Sequence, residues 1–203
     1  MKIIAIGRNY AAHAKELNNP IPSAPVIFLK PDTAVLKDNN PFYIPDFSSD
    51  IHYELEVVLK ICKPGKHIQE KFASNYYDEI GLGIDFTARD IQNVHKEKGL
   101  PWELAKAFDN SAAISNFLPK ANFPDVYDLK FELVINEESK QNGHTENLLF
   151  SFEKIISFVS QYITLKKGDL IFTGTPEGVG QVHPGDHLNA YLEGEQLLNF
   201  DIK

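Results

Sequence analysis

The stretch Asp50-Ile51-His52-Tyr53-Glu54-Leu55-Glu56-Val57-Val58-Leu59-Lys60 constrains this chain more than any other. Its β-branched and aromatic residues alternate with polar ones, the pattern of a strand, and a strand sends residues i, i+2 and i+4 to one face. His52, Glu54 and Glu56 then share a face, while Ile51, Tyr53, Leu55 and Val57 point to a core. Along such a strand the two carboxylates stand roughly 7 Å apart. Like charges held that close need a cation between them, a shared proton or open water. Acidic residues on the wet face of an antiparallel strand are ordinary, so the rest of the chain must decide between a solvated face and a site.

A third carboxylate closes Ile80-Gly81-Leu82-Gly83-Ile84-Asp85-Phe86, an apolar run whose glycines mark a bend or the close approach of another backbone. Thr87 reads as the N-cap of a helix over residues 88–98, stopped by Gly99 and Pro101. Asp85 thus sits where a buried strand gives way to a helix. Arg89, in the first turn, lies against the positive end of the helix dipole, an unfavourable placement that anion recognition would justify. Gln92 and Asn93 are neighbouring donors. Lys106 stands in apolar company, where a lysine either snorkels to water or serves as the cation of a carboxylate.

His13 and Glu16, three apart on a short helix expected over residues 11–17, share a face. They are either a solvated pair or a dyad in which Glu16 orients His13 to activate water. The breakers of Asn18-Asn19-Pro20-Ile21-Pro22-Ser23-Ala24-Pro25 rule out a helix interior or central strand. They are expected to form a flap, over about residues 9–25, that closes the pair onto a substrate. Far downstream, Thr173-Gly174-Thr175-Pro176-Glu177-Gly178-Val179-Gly180 follows an apolar strand and offers backbone N–H groups to an anion. No Gly-Lys-Ser/Thr closes it as in a Walker loop. Gln141-Asn142-Gly143-His144 reads as a turn, residues 151–162 as an amphipathic helix and residues 187–202 as a hairpin.

With 203 residues, 43% hydrophobic and 24% charged, the chain is expected to form one domain, residues 1–203, around one core. A net charge of −8 argues against nucleic acid or an anionic membrane surface, so an anionic ligand would need a local positive patch. The lone cysteine, Cys62, reads as a packed small hydrophobe. No apolar run reaches membrane-spanning length, and Met1-Lys2-Ile3-Ile4-Ala5-Ile6 is too short and too quickly polar for a signal peptide. The cytoplasm is the expected address.

Taken in order, Gly7-Arg8-Asn9-Tyr10 with His13 and Glu16, His52-Tyr53-Glu54-Leu55-Glu56, Gly83-Ile84-Asp85-Phe86-Thr87-Ala88-Arg89-Asp90, Lys106 with Phe108, and Thr173-Gly174-Thr175-Pro176 resemble the fumarylacetoacetate hydrolase superfamily. The likeness runs over essentially the whole chain and is strongest to the short acylpyruvate hydrolase and oxaloacetate decarboxylase group. Asp32 and Ala112-Ala113 are small departures from that pattern. The resemblance implies an α+β, mostly β fold, a mixed β-roll with a few flanking helices, commonly a homodimer. It implies one Mg²⁺ or Mn²⁺, with Ca²⁺ as a possible substitute, on Glu54, Glu56 and Asp85. Substrate would be held by Arg89, Gln92, Lys106 and Thr175, with Lys106 also catalytic, and water would be activated by His13 and Glu16. Three hard oxygen ligands without histidine or cysteine favour Mg²⁺ or Mn²⁺ over zinc. The implied substrate is a small 2-oxo acid, and the leading expectation is hydrolysis of an acylpyruvate. Oxaloacetate decarboxylation and tautomerase or 2-hydroxyhepta-2,4-dienedioate isomerase-like chemistry are alternatives, as are a non-catalytic 2-oxo acid binder and a structural Ca²⁺ domain.

Overall fold

Strand formers fill most segments between the breakers, and sheets carry the fold, with few helices. The computed structural model describes residues 1–17 and 20–203, so Asn18 and Asn19 of the expected flap lie outside the described residues. The larger sheet has eight strands. Its main path runs Val26–Lys30, Ile3–Gly7, Leu170–Phe172, Leu55–Ile61, Tyr77–Asp85, Ala112–Ile114 and Val35–Leu36, and Leu118–Pro119 pairs with Tyr77–Asp85 off that path. Ile3–Gly7 with Leu170–Phe172, and Val35–Leu36 with Ala112–Ile114, are parallel, whereas the other pairs are antiparallel. A second, antiparallel sheet follows the order Glu138–His144, Lys130–Ile135, His187–Leu192, Glu195–Asp201. A small ribbon joins Gly180–Gln181, Ile51–Tyr53 and Thr87–Ala88.

The Leu55–Ile61 strand is buried on both faces. Leu55, Val57 and Leu59 join the main core, which includes Leu133 and Leu188 of the second sheet and Phe152, Ile155, Ile156 and Val159 of the helix Phe152–Tyr162. Ser151 caps that helix, its side chain accepting from the Lys154 N–H. Val58 faces a smaller cluster with Ile3, Leu170 and Phe172. The side expected to be wet is therefore covered, and Glu54 and Glu56 are only 5% and 2% exposed. Gly83 is required by this packing, since a Cβ there would lie 2.5 Å from the Phe172 ring and 2.9 Å from Val58. Gly83→Ala is expected to destabilise the fold by about 1–3 kcal/mol through overpacking, measurable as a lower urea midpoint at unchanged m-value.

Three local expectations are corrected. The chain turns between the strands of the second sheet at Asn136 and Glu137, both left-handed (φ 51° and 68°), which leaves Gln141 to His144 inside the strand Glu138–His144. Gly143 there makes room for the Phe131 ring, so its small size serves packing and not a turn. Thr87 is not a helix cap: the helix is Arg89–Lys98 behind Ala88, and Thr87 pairs with His52 in the ribbon. Gly99 does end that helix, at φ 64°. Cys62 is half-buried, its thiol directed at the Asn75 carbonyl, and so is less enclosed than a core residue.

Candidate active site

The pairing of Leu55–Ile61 with Tyr77–Asp85 builds the centre of the site. Leu55 faces Ile84 and Glu56 faces Gly83, so the chain end bearing Asp85 lies beside Glu54, and the Asp85 N–H donates to the Glu54 carbonyl at 2.9 Å. The strand is interrupted at Glu54, where the chain passes from the ribbon into the large sheet. That break turns Glu54 inward, while His52 stays in the ribbon, half-buried, bonded to Asp50 and next to Arg89. Glu54, Glu56 and Asp85 each offer a carboxylate oxygen within 4.8 Å of the others.

Cations surround this trio. Lys106, buried at the end of the short helix Glu103–Lys106, donates to Glu54 Oε2 and Asp85 Oδ2, both at 2.7 Å, and to Thr87 Oγ1 at 2.6 Å. Arg89 donates to Glu54 Oε1 and to Gln92 Oε1, each at 2.6 Å. The fully buried Lys30 lies 2.7 Å from Asp85 Oδ1 and is anchored on the Lys106 carbonyl and on Ser111.

Burial alone would push the Glu54 carboxyl up, but Lys106 and Arg89 beside it hold it well below the ordinary range. Glu56 behaves oppositely. Burial and then the Asp85 charge push it well above, and the Gly174 N–H, donating at 2.6 Å, offsets them only in part. Burial pulls the Lys30 ammonium down against the attraction of Asp85, whereas for Lys106 the pull of Asp85 and Glu54 exceeds the effect of burial. Among the described residues no cation lies within 4.0 Å of Glu56, and its carboxyl resists ionisation, so this side of the trio is the one short of positive charge. The donor set is all hard oxygen, so the trio fits a divalent cation of the Mg²⁺ or Mn²⁺ kind.

The remaining walls come from distant loops. The Thr173–Gly174–Thr175 backbone leaves the strand Leu170–Phe172 beside Glu56, with the Thr173 N–H on the Val57 carbonyl. Gly174 (φ 107°) packs against Asn9, where a Cβ would approach to 2.6 Å. Asn9 in turn ties Thr173 to Phe150 through its side-chain amide. Thr175 lines the cleft and accepts from Gln141, which also holds the Leu55 N–H and the Pro176 carbonyl. His13, 5% exposed on the helix Ala11–Glu16, has Nδ1 3.1 Å from Glu16 Oε2, and the Gly178 N–H donates to the other Glu16 oxygen at 3.0 Å. The dyad thus ties the helix Ala11–Glu16 to the loop that carries Thr175.

Of the residues singled out in the sequence, His13, Glu16, Glu54, Glu56, Asp85, Arg89, Gln92, Lys106 and Thr175 are brought to this one cleft or its rim, whereas His52 stays in the ribbon and Asn93 is exposed. Lys30, Gln141 and Asn9 were not anticipated. Lys30 carried one signal, a lysine closing the apolar strand Val26–Lys30, whereas Gln141 was hidden by the turn reading. The free volume of the cleft is only about 30 Å³, with the Lys106 ammonium between Glu54 and Asp85. A larger depression, about 670 Å³, lies on the second sheet around Phe131 and Tyr191 and shares no lining residue with the cleft. Convergent chemistry marks the site better than volume does.

Residues 2–201 match the family model described as fumarylacetoacetate (FAA) hydrolase C-terminal. The chain belongs to this family. It is 43% identical over 201 residues, 99% of this chain and 91% of the relative, to the mouse (Mus musculus) mitochondrial oxaloacetate tautomerase FAHD1. It is 42% identical over 203 residues, 99% of this chain and 93% of the relative, to the mitochondrial oxaloacetate decarboxylase of Dictyostelium discoideum. Among solved structures, the fumarylpyruvate hydrolase of Pseudomonas aeruginosa in complex with Mn²⁺ and pyruvate superposes with a TM-score of 0.94 at 34% identity, covering 100% of this chain and 89% of that one. The fold of the family's C-terminal domain and the membership implied by the sequence motifs both hold for this member. Two expectations change. The curated relatives are named mitochondrial, which overturns the cytoplasmic address, and they are named for oxaloacetate chemistry, which favours the alternative over acylpyruvate hydrolysis.

Proposed function

We propose that this chain interconverts the keto and enol forms of oxaloacetate, with Glu54, Glu56 and Asp85 holding one Mg²⁺ or Mn²⁺. The observation that carries this reading is a buried His13, oriented by Glu16 at the rim, in the same cleft as the carboxylate trio. Relatives named for oxaloacetate chemistry supply the substrate, and a relative's structure with Mn²⁺ and pyruvate supports the metal and the 2-oxo acid. A divalent cation in the trio supplies Lewis-acid polarisation of the 2-oxo group.

The chain's own residues do the rest. Glu16 fixes Nδ1 of His13 as the N–H nitrogen, which leaves Nε2 free to accept a proton. Nε2 takes a proton from C3, and the C–H electron pair becomes the C2–C3 double bond as the ketone oxygen takes on negative charge. Delivery of a proton to that oxygen completes the enol, and the reverse sequence restores the ketone. Arg89 and Lys106 offset the charge that develops beside them, inside a protein whose net charge of −8 repels a dianion. Gln141 and Asn9 act as positioning residues for the Thr175 loop.

Decarboxylation is the second reading, because breaking the C3–C4 bond with loss of CO₂ leaves its electron pair on C3 and gives the enolate of pyruvate, its charge likewise on the C2 oxygen, without a base. Purified protein with Mg²⁺ or Mn²⁺ is expected to speed decay of the enol absorbance of oxaloacetate more than it speeds pyruvate release or acetylpyruvate cleavage. Acetylpyruvate cleavage as the fastest of the three would overturn the proposal.

A further inference from the structure

Arg89, Lys106 and Lys30 are each matched to a carboxylate of the trio, but two more cations line the cleft with no such match. Among the described residues, neither Arg8 nor Lys96 has a carboxylate within 4.0 Å. The Arg8 guanidinium carbon lies 6.0 Å, and the Lys96 ammonium 5.9 Å, from the centroid of one ring, Trp102. Two like charges held against one aromatic surface repel, and an anion between them relieves that repulsion.

Arg8 bears further signs of a held ligand group. Its backbone is left-handed, φ 61°, a conformation that a long side chain adopts only when its surroundings impose it. Its Nε is buried without a hydrogen-bond acceptor. Burial, with Arg89 and Arg8 nearby, brings the Lys96 ammonium down to about 8, so this cation too is short of negative charge. Lys96 also lies seven residues after Arg89 and four after Gln92, on one face of the helix Arg89–Lys98 that looks into the cleft. Trp102 stands immediately before the helix Glu103–Lys106, whose last residue carries the amine that bridges Glu54 and Asp85. The cation pair and Trp102 therefore line the same cleft as the trio without contacting its carboxylates, which leaves room for a second anionic group of one ligand.

Resting on the 2-oxo acid reading above, we propose that Arg8 and Lys96, set on Trp102, form the subsite for the second carboxylate of the substrate and make the enzyme selective for dicarboxylic over monocarboxylic 2-oxo acids. Neutral variants that keep the aliphatic stem test it: Arg8→Met and Lys96→Met, with circular dichroism to confirm folding. Lys96, half-buried on a helix, keeps the test intact should the Arg8 variant fail to fold.

Binding is read by thermal-shift titration with two unreactive probes in Mg²⁺, malate, which carries the second carboxylate, and lactate, which lacks it. Turnover is read with oxaloacetate and acetylpyruvate. Each variant is expected to lose at least about tenfold more affinity for malate than for lactate, and KM for oxaloacetate is expected to rise by at least about tenfold more than KM for acetylpyruvate. Equal losses on the two members of each pair, with the wild type binding and turning over as expected, would overturn the subsite alone. A wild type that binds neither probe and turns over neither substrate would overturn the 2-oxo acid reading and the subsite with it.

Discussion

Glu54→Ala is expected to lower metal-dependent turnover of oxaloacetate by about a thousandfold, a loss of several kcal/mol of transition-state stabilisation. The same substitution is expected to cost about 3–5 kcal/mol of stability, because Arg89 and Lys106 lose a buried carboxylate that each touches within 2.7 Å. Glu54→Gln separates the two effects. Its amide oxygen still accepts one hydrogen bond, so stability is partly kept while the charge needed to hold a divalent cation is lost. Urea denaturation with and without Mg²⁺ measures the first effect, and Mn²⁺ binding followed by electron paramagnetic resonance measures the second. A Glu54→Ala protein that binds Mn²⁺ normally and remains fully active would leave the carboxylate trio without a catalytic role.

His13→Ala is expected to reduce kcat for tautomerisation by about 10²–10⁴-fold, the usual contribution of a positioned general base, with a smaller change in KM. Decarboxylation is expected to lose much less, since the departing CO₂ leaves its electron pair on C3 and no base removes a proton. Measuring both reactions on one preparation makes the comparison independent of the active fraction. Equal losses would mean that His13 serves binding or the architecture of the loop, not proton transfer. Glu16 bonds to both His13 and the Gly178 N–H, so the variant's melting temperature should be recorded alongside.

The individual strands were legible because period-two alternation and breakers are local signals. The closing hairpin His187–Leu192 with Glu195–Asp201 lies where the pattern put it, Tyr77–Asp85 starts three residues ahead of the apolar run read at 80–86, and the strand read over 50–60 is present but broken at Glu54. What misled was local chemistry put to a tertiary use. Asn142-Gly143 looked like a hairpin turn, yet the glycine accommodates Phe131, and Thr87 looked like a helix cap, yet its hydroxyl accepts from Lys106. Lys30 was passed over because a lysine at a strand end is ordinarily solvated, whereas here it is fully buried against Asp85.

By itself, the sequence determined the elements, the face of the strand shared by Glu54 and Glu56, and the order of motifs that resembles one family. Only the tertiary structure decided that this face is dry, that Asp85 joins it, and that five cations gather around or beside the trio. The physical reason is range. Hydrophobic period and turn chemistry act over a few residues, while the charge balance of a buried centre depends on which distant strands pair. Here Leu55 opposite Ile84 brings Asp85 to Glu54, and the strand Leu170–Phe172 brings Gly174 to Glu56.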